Sequence, residues 1–175
     1  HNQSTPGAPR FVELETSIFF EHNRSHGVVV ADFDRDGDQD IIVGHSRGRC
    51  DANAPNNCYE TTQVRAFKNV LPNAGNWLQL SLEGGPNTNR SAIGAQVTVR
   101  TAQGTQRYEI GGGYGHYGSQ DDLLVHIGLG NECQADVTIR WPDAALTQTR
   151  YIVPANRRFR VKQGEVPTLW ESATP

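Results

Sequence analysis

Short alternations of apolar and polar residues, separated by Gly, Pro and Asn, run through most of this chain. In residues 95–99 and 137–141 every second side chain is apolar, which is typical of strands with one buried and one solvated face. Helical periodicity is nearly absent. The predicted strands are Phe11–Phe20, Val28–Ala31, Asp40–Val43, Val64–Lys68, Trp77–Leu82, Ala95–Arg100, Gln106–Ile110, Leu123–Ile127, Asp136–Trp141, Thr147–Val153 and Arg158–Lys162. This spacing predicts an all-β fold, a single-domain β-sandwich.

Five aspartates lie within nine residues between two predicted strands, in the sequence Asp32-Phe-Asp-Arg-Asp-Gly-Asp-Gln-Asp40. Carboxylates at this density repel one another unless a cation lies among them, and alternating oxygen ligands with a glycine for the sharp turn suit Ca²⁺. An EF-hand is excluded, because it needs a Glu at the twelfth loop position and helices on both sides. Counted from Asp32, the twelfth position here is Val43, and both flanks are β-branched. We predict a strand–loop–strand calcium site, and the alternative is a solvated acidic turn. The predicted ligands are carboxylates of Asp32, Asp34, Asp36 and Asp40 and a backbone carbonyl of Asp38.

Length and charge narrow the class of protein. The chain has 175 residues and a formal net charge of −3, which suits one domain and gives no indication of nucleic-acid binding. No apolar run approaches the ~18 residues of a membrane span. The chain starts at His1 and contains no Met, so we expect an exported protein without its signal peptide, located outside the cell or at its surface.

An extracellular location bears on the cysteines and on glycosylation. Cys50 and Cys58 bracket a polar loop that a disulfide would close in an oxidising compartment. Cys133 is then left as a buried thiol or an intermolecular link. Candidate glycosylation sites of the Asn-x-Ser type occur at Asn2, Asn23 and Asn89.

Two parts of the chain resemble known families. Gly27–Gly44 resembles an FG-GAP/VCBS-type calcium repeat. The chain from Asn76 on is similar to the ASPIC/UnbV domain of the cartilage acidic protein-like family, and it resembles a bacterial-type member of that family. The motifs that carry the second resemblance are Asn76-Trp-Leu-Gln-Leu80, Asn89-Arg-Ser-Ala-Ile-Gly94, Gly118-Ser-Gln120, His126-Ile-Gly-Leu-Gly130 and Val137-Thr-Ile-Arg-Trp-Pro-Asp143. The resemblance implies an extracellular calcium-binding protein without an established catalytic site.

The predicted organisation follows from these resemblances. A single repeat cannot close a propeller, so we expect residues 21–163 to pack as one domain. The predicted parts are an N-terminal arm and edge strand at 1–20, an FG-GAP-like calcium segment at 21–75, an ASPIC/UnbV-like β-domain at 76–163 and a C-terminal tail at 164–175.

A His-Glu-x-x-His motif is missing from the sequence, and the pattern Gly-x-Ser-x-Gly occurs once, at residues 44–48, where we identify no catalytic set. The glycine-rich segment 111–118 is interpreted as tight turns, or as a ligand loop that presents Tyr114, His116 and Tyr117. We therefore predict a secreted, non-enzymatic structural protein that assembles with copies of itself into a filament or matrix, through edges such as Phe11–Phe20. The alternative is an adhesion or carbohydrate-binding module.

Overall fold

The computed structural model describes residues 3–5, 7–12, 25–45, 63–72, 75–102, 104–111 and 120–170. These residues form strands, turns and loops without a helix, which confirms the predicted all-β class. The strands are β1 (Ser25–Ala31), β2 (Asp40–His45), β3 (Gln63–Phe67), β4 (Asn76–Glu83), β5 (Gln96–Thr101), β6 (Gly104–Glu109), β7 (Val125–Gly130), β8 (Gln134–Arg140), β9 (Gln148–Pro154), β10 (Arg157–Lys162) and β11 (Thr168–Leu169).

Two four-stranded sheets form the sandwich, one in the order β11-β10-β4-β7 and the other in the order β6-β5-β8-β9. Strand alternation turns every second side chain inward, so Val97 and Ile139 of one sheet share a core with Leu78 and Ile127 of the other. All four are fully buried. Burial of one such side chain contributes about 1.5–3 kcal/mol, and this core holds the two sheets together.

Trp141 follows β8 and belongs to the same core. Its side chain is fully buried, and its indole N–H donates to Thr149 Oγ1 at 2.9 Å. The ring therefore contributes a large apolar surface without leaving its polar atom unsatisfied.

Parallel pairing joins two distant parts of the chain in the first sheet. β10 lies parallel to β4, with Arg157 opposite Leu78 and Lys162 opposite Glu83. β7 pairs antiparallel with β4 on its other side and places His126 opposite Gln79. β4 is thus a central strand, and its outward-facing residues have neighbours on both sides.

The remaining strands form a small antiparallel sheet in the order β1-β2-β3. Its β-branched residues give it strand propensity, but none of its described apolar side chains belongs to the buried core. Val28 on β1 is 54% exposed and Val64 on β3 is 75% exposed. This sheet must therefore be held to the sandwich by something other than a shared apolar core.

Several predictions fall on the edges of the described chain. Of the predicted strand Phe11–Phe20, the structure describes Phe11, which is 76% exposed, and Val12; the rest lies outside the described residues. The described residues contain no helix long and apolar enough to span a membrane. The expectation of a buried Cys133 is wrong: this thiol is exposed, because the residue lies in the turn between β7 and β8 and not on an inward-facing strand position.

Candidate metal centre

The acidic loop that connects β1 to β2 brings three carboxylates together. One ligand oxygen each from Asp32, Asp34 and Asp40 lie within 4.8 Å of one another. The side chain of Asp32 is 1% exposed and Asp40 is fully buried. Three carboxylates this close, two of them buried, are electrostatically unfavourable without a cation.

Local hydrogen bonds shape the loop. The backbone N–H of Asp36 donates to Asp34 Oδ1 at 3.3 Å and that of Asp38 donates to Asp36 Oδ1 at 3.0 Å. Such contacts from an Asp side chain to the backbone two residues later are Asx-turns. Arg35 and Gly37 have positive φ, 66° and 99°, so the chain turns sharply, as the spacing of the aspartates predicted.

Gly37 fixes the loop against the sandwich. A Cβ at this position would lie 1.8 Å from Nε1 of Trp77 on β4. The left-handed φ and the close approach of the indole both require glycine here. This contact means that the loop packs directly on the outer face of the first sheet.

Asp32 is the most informative carboxylate of the site. Its Oδ2 accepts from Gln79 Nε2 at 2.7 Å and from the backbone N–H of Gly37 at 3.2 Å, and a guanidinium nitrogen of Arg158 lies 3.7 Å away. Its Oδ1 is buried and accepts no hydrogen bond from any described residue. A buried carboxylate oxygen without a partner is costly, and an oxygen-coordinated cation is a partner that would satisfy it.

Asp40 ties the loop to the segment after β3. Its Oδ1 accepts from the backbone N–H of Asn69 at 2.8 Å, and its Oδ2 accepts from that of Phe33 at 3.1 Å. Each carboxylate oxygen has two lone pairs, so Asp40 can make these bonds and still coordinate an ion.

Lys68 places a positive charge at the exposed side of the cluster. Its ammonium contacts Asp34 and lies 3.1 Å from Asp36 Oδ2. The hydrogen bond to Asp34 and the one to Asp36 raise the pKa of Lys68. The pKa of Asp36 is lowered, first by the N–H of Asp38 and then by Lys68.

A row of polar side chains on the outer face of the first sheet contacts Asp32 through a hydrogen bond from Gln79. Gln79 is fully buried; its amide nitrogen also donates to Nδ1 of His126 at 3.0 Å, and its Oε1 accepts from Arg158 Nε at 2.5 Å. His126 stacks on Trp77 with 6.2 Å between ring centroids. Burial lowers the pKa of His126, against the opposing charges of Asp32 and Asp38. The row therefore fixes the amide of Gln79 toward the acidic loop.

The predicted site residues have different outcomes. Asp32, Asp34 and Asp40 form the cluster, whereas Asp36 and Asp38 lie in the loop beside it. Asn89 is exposed, and its side-chain amide donates to and accepts from the backbone of Ile93, at 2.8 Å in both bonds. The predicted disulfide and ligand loop, with two of the glycosylation sites, lie outside the described residues: Cys50, Cys58, Tyr114, His116, Tyr117, Asn2 and Asn23.

Sequence reasoning missed the residues that approach the loop from elsewhere in the chain. These are Lys68, Asn69, Trp77, Gln79, His126 and Arg158. Alternation along β4 places Gln79 on the outward face with other polar residues, and no local signal marks it as buried.

Comparisons with known proteins support the second of the two predicted resemblances. Residues 85–168 match the family model described as ASPIC and UnbV. The chain is 29% identical over 143 residues to cartilage acidic protein 1 of Mus musculus and to that of Homo sapiens. The aligned residues make up 80% of this chain, 20% of the mouse protein and 19% of the human protein. The Xenopus tropicalis protein of the same name is 26% identical over 154 residues, 87% of this chain and 20% of that protein.

The matches cover only part of this chain and a small part of its relatives. The predicted ASPIC/UnbV similarity is confirmed over residues 85–168, from the turn after β4 to β11. That match begins after the acidic loop, so the FG-GAP/VCBS resemblance of Gly27–Gly44 stays a prediction. The chain spans about a fifth of the length of the relatives it matches.

Proposed function

We propose that this chain is a non-enzymatic, calcium-binding structural module of an extracellular protein. The observation that carries the proposal is the buried Oδ1 of Asp32, which accepts no hydrogen bond from a described residue and belongs to a cluster with Asp34 and Asp40. Hard carboxylate oxygens are the ligands that Ca²⁺ prefers, and the glycine-turned loop suits its flexible coordination.

In this proposal the ion is a structural link between the two parts of the molecule. Gln79 and Arg158 engage Oδ2 of Asp32 and leave Oδ1 available. Asp40 is bonded to the backbone of Asn69. A cation bound by the cluster would therefore hold the β1–β2 connection, the segment after β3 and the sandwich together. The bound ion supplies positive charge and coordination, with no chemical step.

The extracellular part of the proposal has two supports. The relatives are named for cartilage, a tissue with an extensive extracellular matrix, and extracellular Ca²⁺ is sufficient to fill even millimolar sites. Self-assembly into a filament or matrix is the finer part of the proposal. The exposure of Phe11 at the start of the predicted edge strand supports it.

Calcium dependence of stability tests the proposal directly. We expect the free energy of unfolding of the full chain, measured by chemical unfolding, to be higher in millimolar Ca²⁺ than in chelator. The difference should be about 4 kcal/mol if the Ca²⁺ concentration is a thousandfold above Kd. Asp32→Asn keeps the shape of the side chain but should lose this response. Asp136→Asn, on the other sheet and paired with Arg150, is the matched control and should keep it. Equal stability of the wild type in Ca²⁺ and in chelator contradicts the proposal.

Self-assembly has a separate test. Deletion of residues 1–20 should abolish concentration-dependent assembly, measured by light scattering and negative-stain microscopy, while the remaining chain still unfolds cooperatively. Wild-type protein that stays monomeric at high concentration in millimolar Ca²⁺ contradicts this part and leaves the calcium site unaffected.

A further inference from the structure

The outer face of the β6-β5-β8-β9 sheet carries an open groove of about 560 Å³. It faces away from the acidic loop, because that loop packs on the outer face of the other sheet. The core-facing residues of β5 and β8 are apolar, so alternation turns their polar residues into this groove. The groove is lined by Gln96, Thr98, Arg107, Thr138, Arg140 and Gln148, with Glu109 at one edge.

Strand register arranges these side chains in two parallel rows. Arg107, Thr98 and Thr138 lie opposite one another on three neighbouring strands. Gln96, Arg140 and Gln148 form the next row. With strands about 4.8 Å apart and alternate residues about 7 Å apart, Arg107 and Arg140 have Cα atoms roughly 12 Å apart on a diagonal. The two arginines therefore flank the hydroxyl and amide side chains that line the groove.

The charge of this face differs from that of the whole chain. The outward positions of the four strands include Arg100, Arg107, Arg140 and Arg150 but only two acids, Glu109 and Asp136. Four positive charges minus two negative charges leave an excess of two on this face, whereas the chain carries a formal net charge of −3.

The arginines of this face are committed to different degrees. Arg150 donates two hydrogen bonds to Asp136, at 2.7 and 2.8 Å. Arg107 and Arg140 form no ion pair or hydrogen bond with another side chain among the described residues. The two guanidiniums that line the groove are therefore available to an anionic ligand, whereas that of Arg150 on the same face is paired with Asp136.

We propose that this groove binds an anionic polysaccharide. Guanidinium groups bind carboxylate or sulfate groups through two parallel N–H donors, and the Thr and Gln side chains offer donors and acceptors for sugar hydroxyls. A bound protein segment would favour an apolar or aromatic anchor pocket. Among the described lining residues the one aromatic is Tyr108, whose ring packs against the core and whose hydroxyl donates to Gln106 at 2.6 Å.

The test uses the full chain and four polymers: dextran sulfate, polygalacturonate, neutral dextran and polyglutamate. Binding is measured by titration calorimetry in chelator and low salt, so that Ca²⁺ cannot bridge the polymer to the acidic loop. We expect dextran sulfate or polygalacturonate to bind, and the stronger of the two identifies the anionic group. Neutral dextran should not bind detectably, and polyglutamate should bind at least tenfold more weakly than the stronger glycan.

Variants assign the binding to this groove. Arg107→Gln with Arg140→Gln should weaken binding about tenfold or more, because two charge-assisted contacts are lost. The matched control Arg150→Gln removes a charge from the same face and should change binding by about twofold at most, because that arginine is already paired. Glu109→Gln should strengthen binding about twofold to fivefold, a gain that a misfolded variant could not produce.

Specific results overturn the proposal. They are no binding of either anionic glycan, equal binding of neutral dextran, equal or tighter binding of polyglutamate, or a double arginine variant that binds like the wild type. The melting temperature of each variant is measured alongside, and the gain expected for Glu109→Gln keeps the test decisive if the double variant is unstable.

Discussion

The sandwich and the acidic β1–β3 unit (residues 25–45 and 63–72) are stabilised by opposite means. The sandwich, from β4 to β11, contributes every side chain of the described apolar core, from Leu78 to Val161. The buried charged side chains of the acidic unit are the carboxylates of Asp32 and Asp40. Apolar burial is non-directional and scales with area, whereas the acidic unit depends on a few directional polar contacts.

This difference indicates where the molecule is sensitive to its surroundings. A core of aliphatic residues with Trp141 and Phe159 responds to denaturant and temperature but little to ions. In the proposed calcium-binding module, the carboxylate cluster would respond to divalent cations and to the residues that orient it. On this proposal the sandwich is the scaffold, and Ca²⁺ would control how firmly the acidic unit is attached to it.

The largest expected effect comes from the sandwich core. Leu78→Ala should lower the free energy of unfolding by about 2–5 kcal/mol, because it leaves a cavity between the sheets. The change is measured by urea denaturation. The control is Val64→Ala on β3, where the side chain is 75% exposed, and its effect should stay within about 0.5 kcal/mol. Equal losses in the two variants would mean that the acidic unit shares the apolar core after all.

The next effect concerns the junction of the two regions. Gly37→Ala forces a Cβ onto Trp77 and a left-handed φ onto alanine, so we expect a loss of about 1–3 kcal/mol and faster hydrogen exchange in β1 and β2. Gly104→Ala is the matched control, since φ is 140° there and no atom lies within 4 Å of the added Cβ. It should leave exchange in β1 and β2 unchanged. Protected β1 and β2 amides in Gly37→Ala would show that the Trp77 contact does not hold the loop.

Acid sensitivity of the sandwich gives a smaller effect. The pKa of Asp143 is lowered from its ordinary value of 3.8 by hydrogen bonds from the hydroxyl and the N–H of Thr147, and Gln163 donates as well. A depressed folded-state pKa contributes stability above the unfolded-state pKa, and this contribution is lost as the pH falls through the folded-state value. The free energy of unfolding, measured in urea, should therefore decrease below about pH 4.

Asp143→Asn separates this carboxylate from the others. The variant should be less stable than the wild type at neutral pH, and the difference should shrink as the pH falls from 5 toward 2, because the wild-type carboxylate becomes protonated. A difference that stays constant over this range would mean that ionisation of Asp143 does not contribute.

The smallest effect sharpens the account of the acidic unit. Lys68 places an ammonium against Asp34 and Asp36, where it would compete with a cation in the proposed site. Lys68→Met should therefore tighten Ca²⁺ binding about twofold to fivefold, the range expected for an exposed ion pair, as measured by calorimetry. The matched control Lys162→Met removes an ammonium paired with Glu165 and should leave the affinity unchanged. Weaker binding in Lys68→Met would indicate that Lys68 orients the carboxylates instead of competing.

Local patterns in the sequence predicted what depends on local geometry. The alternation at residues 95–99 and 137–141 predicted β5 and β8, and the spacing of the aspartates predicted the loop that brings Asp32 near Asp40. Both follow from strand alternation and from a turn at glycine. The ligand role of the five aspartates remains a prediction.

Contacts between distant segments could not be predicted in this way. Alternation along β4 turns Gln79 away from the core, yet the residue is buried because the acidic loop covers it. The parallel pairing of β10 with β4 has no signature in either strand. Lys68 and Arg158 look like ordinary surface cations until the fold places them beside the aspartates.

The parallel β10–β4 pair also has a consequence for folding kinetics. Arg158 reaches Gln79 across 79 positions of sequence, so a nascent chain cannot complete the central sheet until β10 has left the ribosome. Non-local pairing of this kind slows folding, because the entropy of loop closure is lost before the contact forms. We therefore expect β4 to wait with an open edge during synthesis, and a chain truncated before Arg157 to aggregate instead of folding partially.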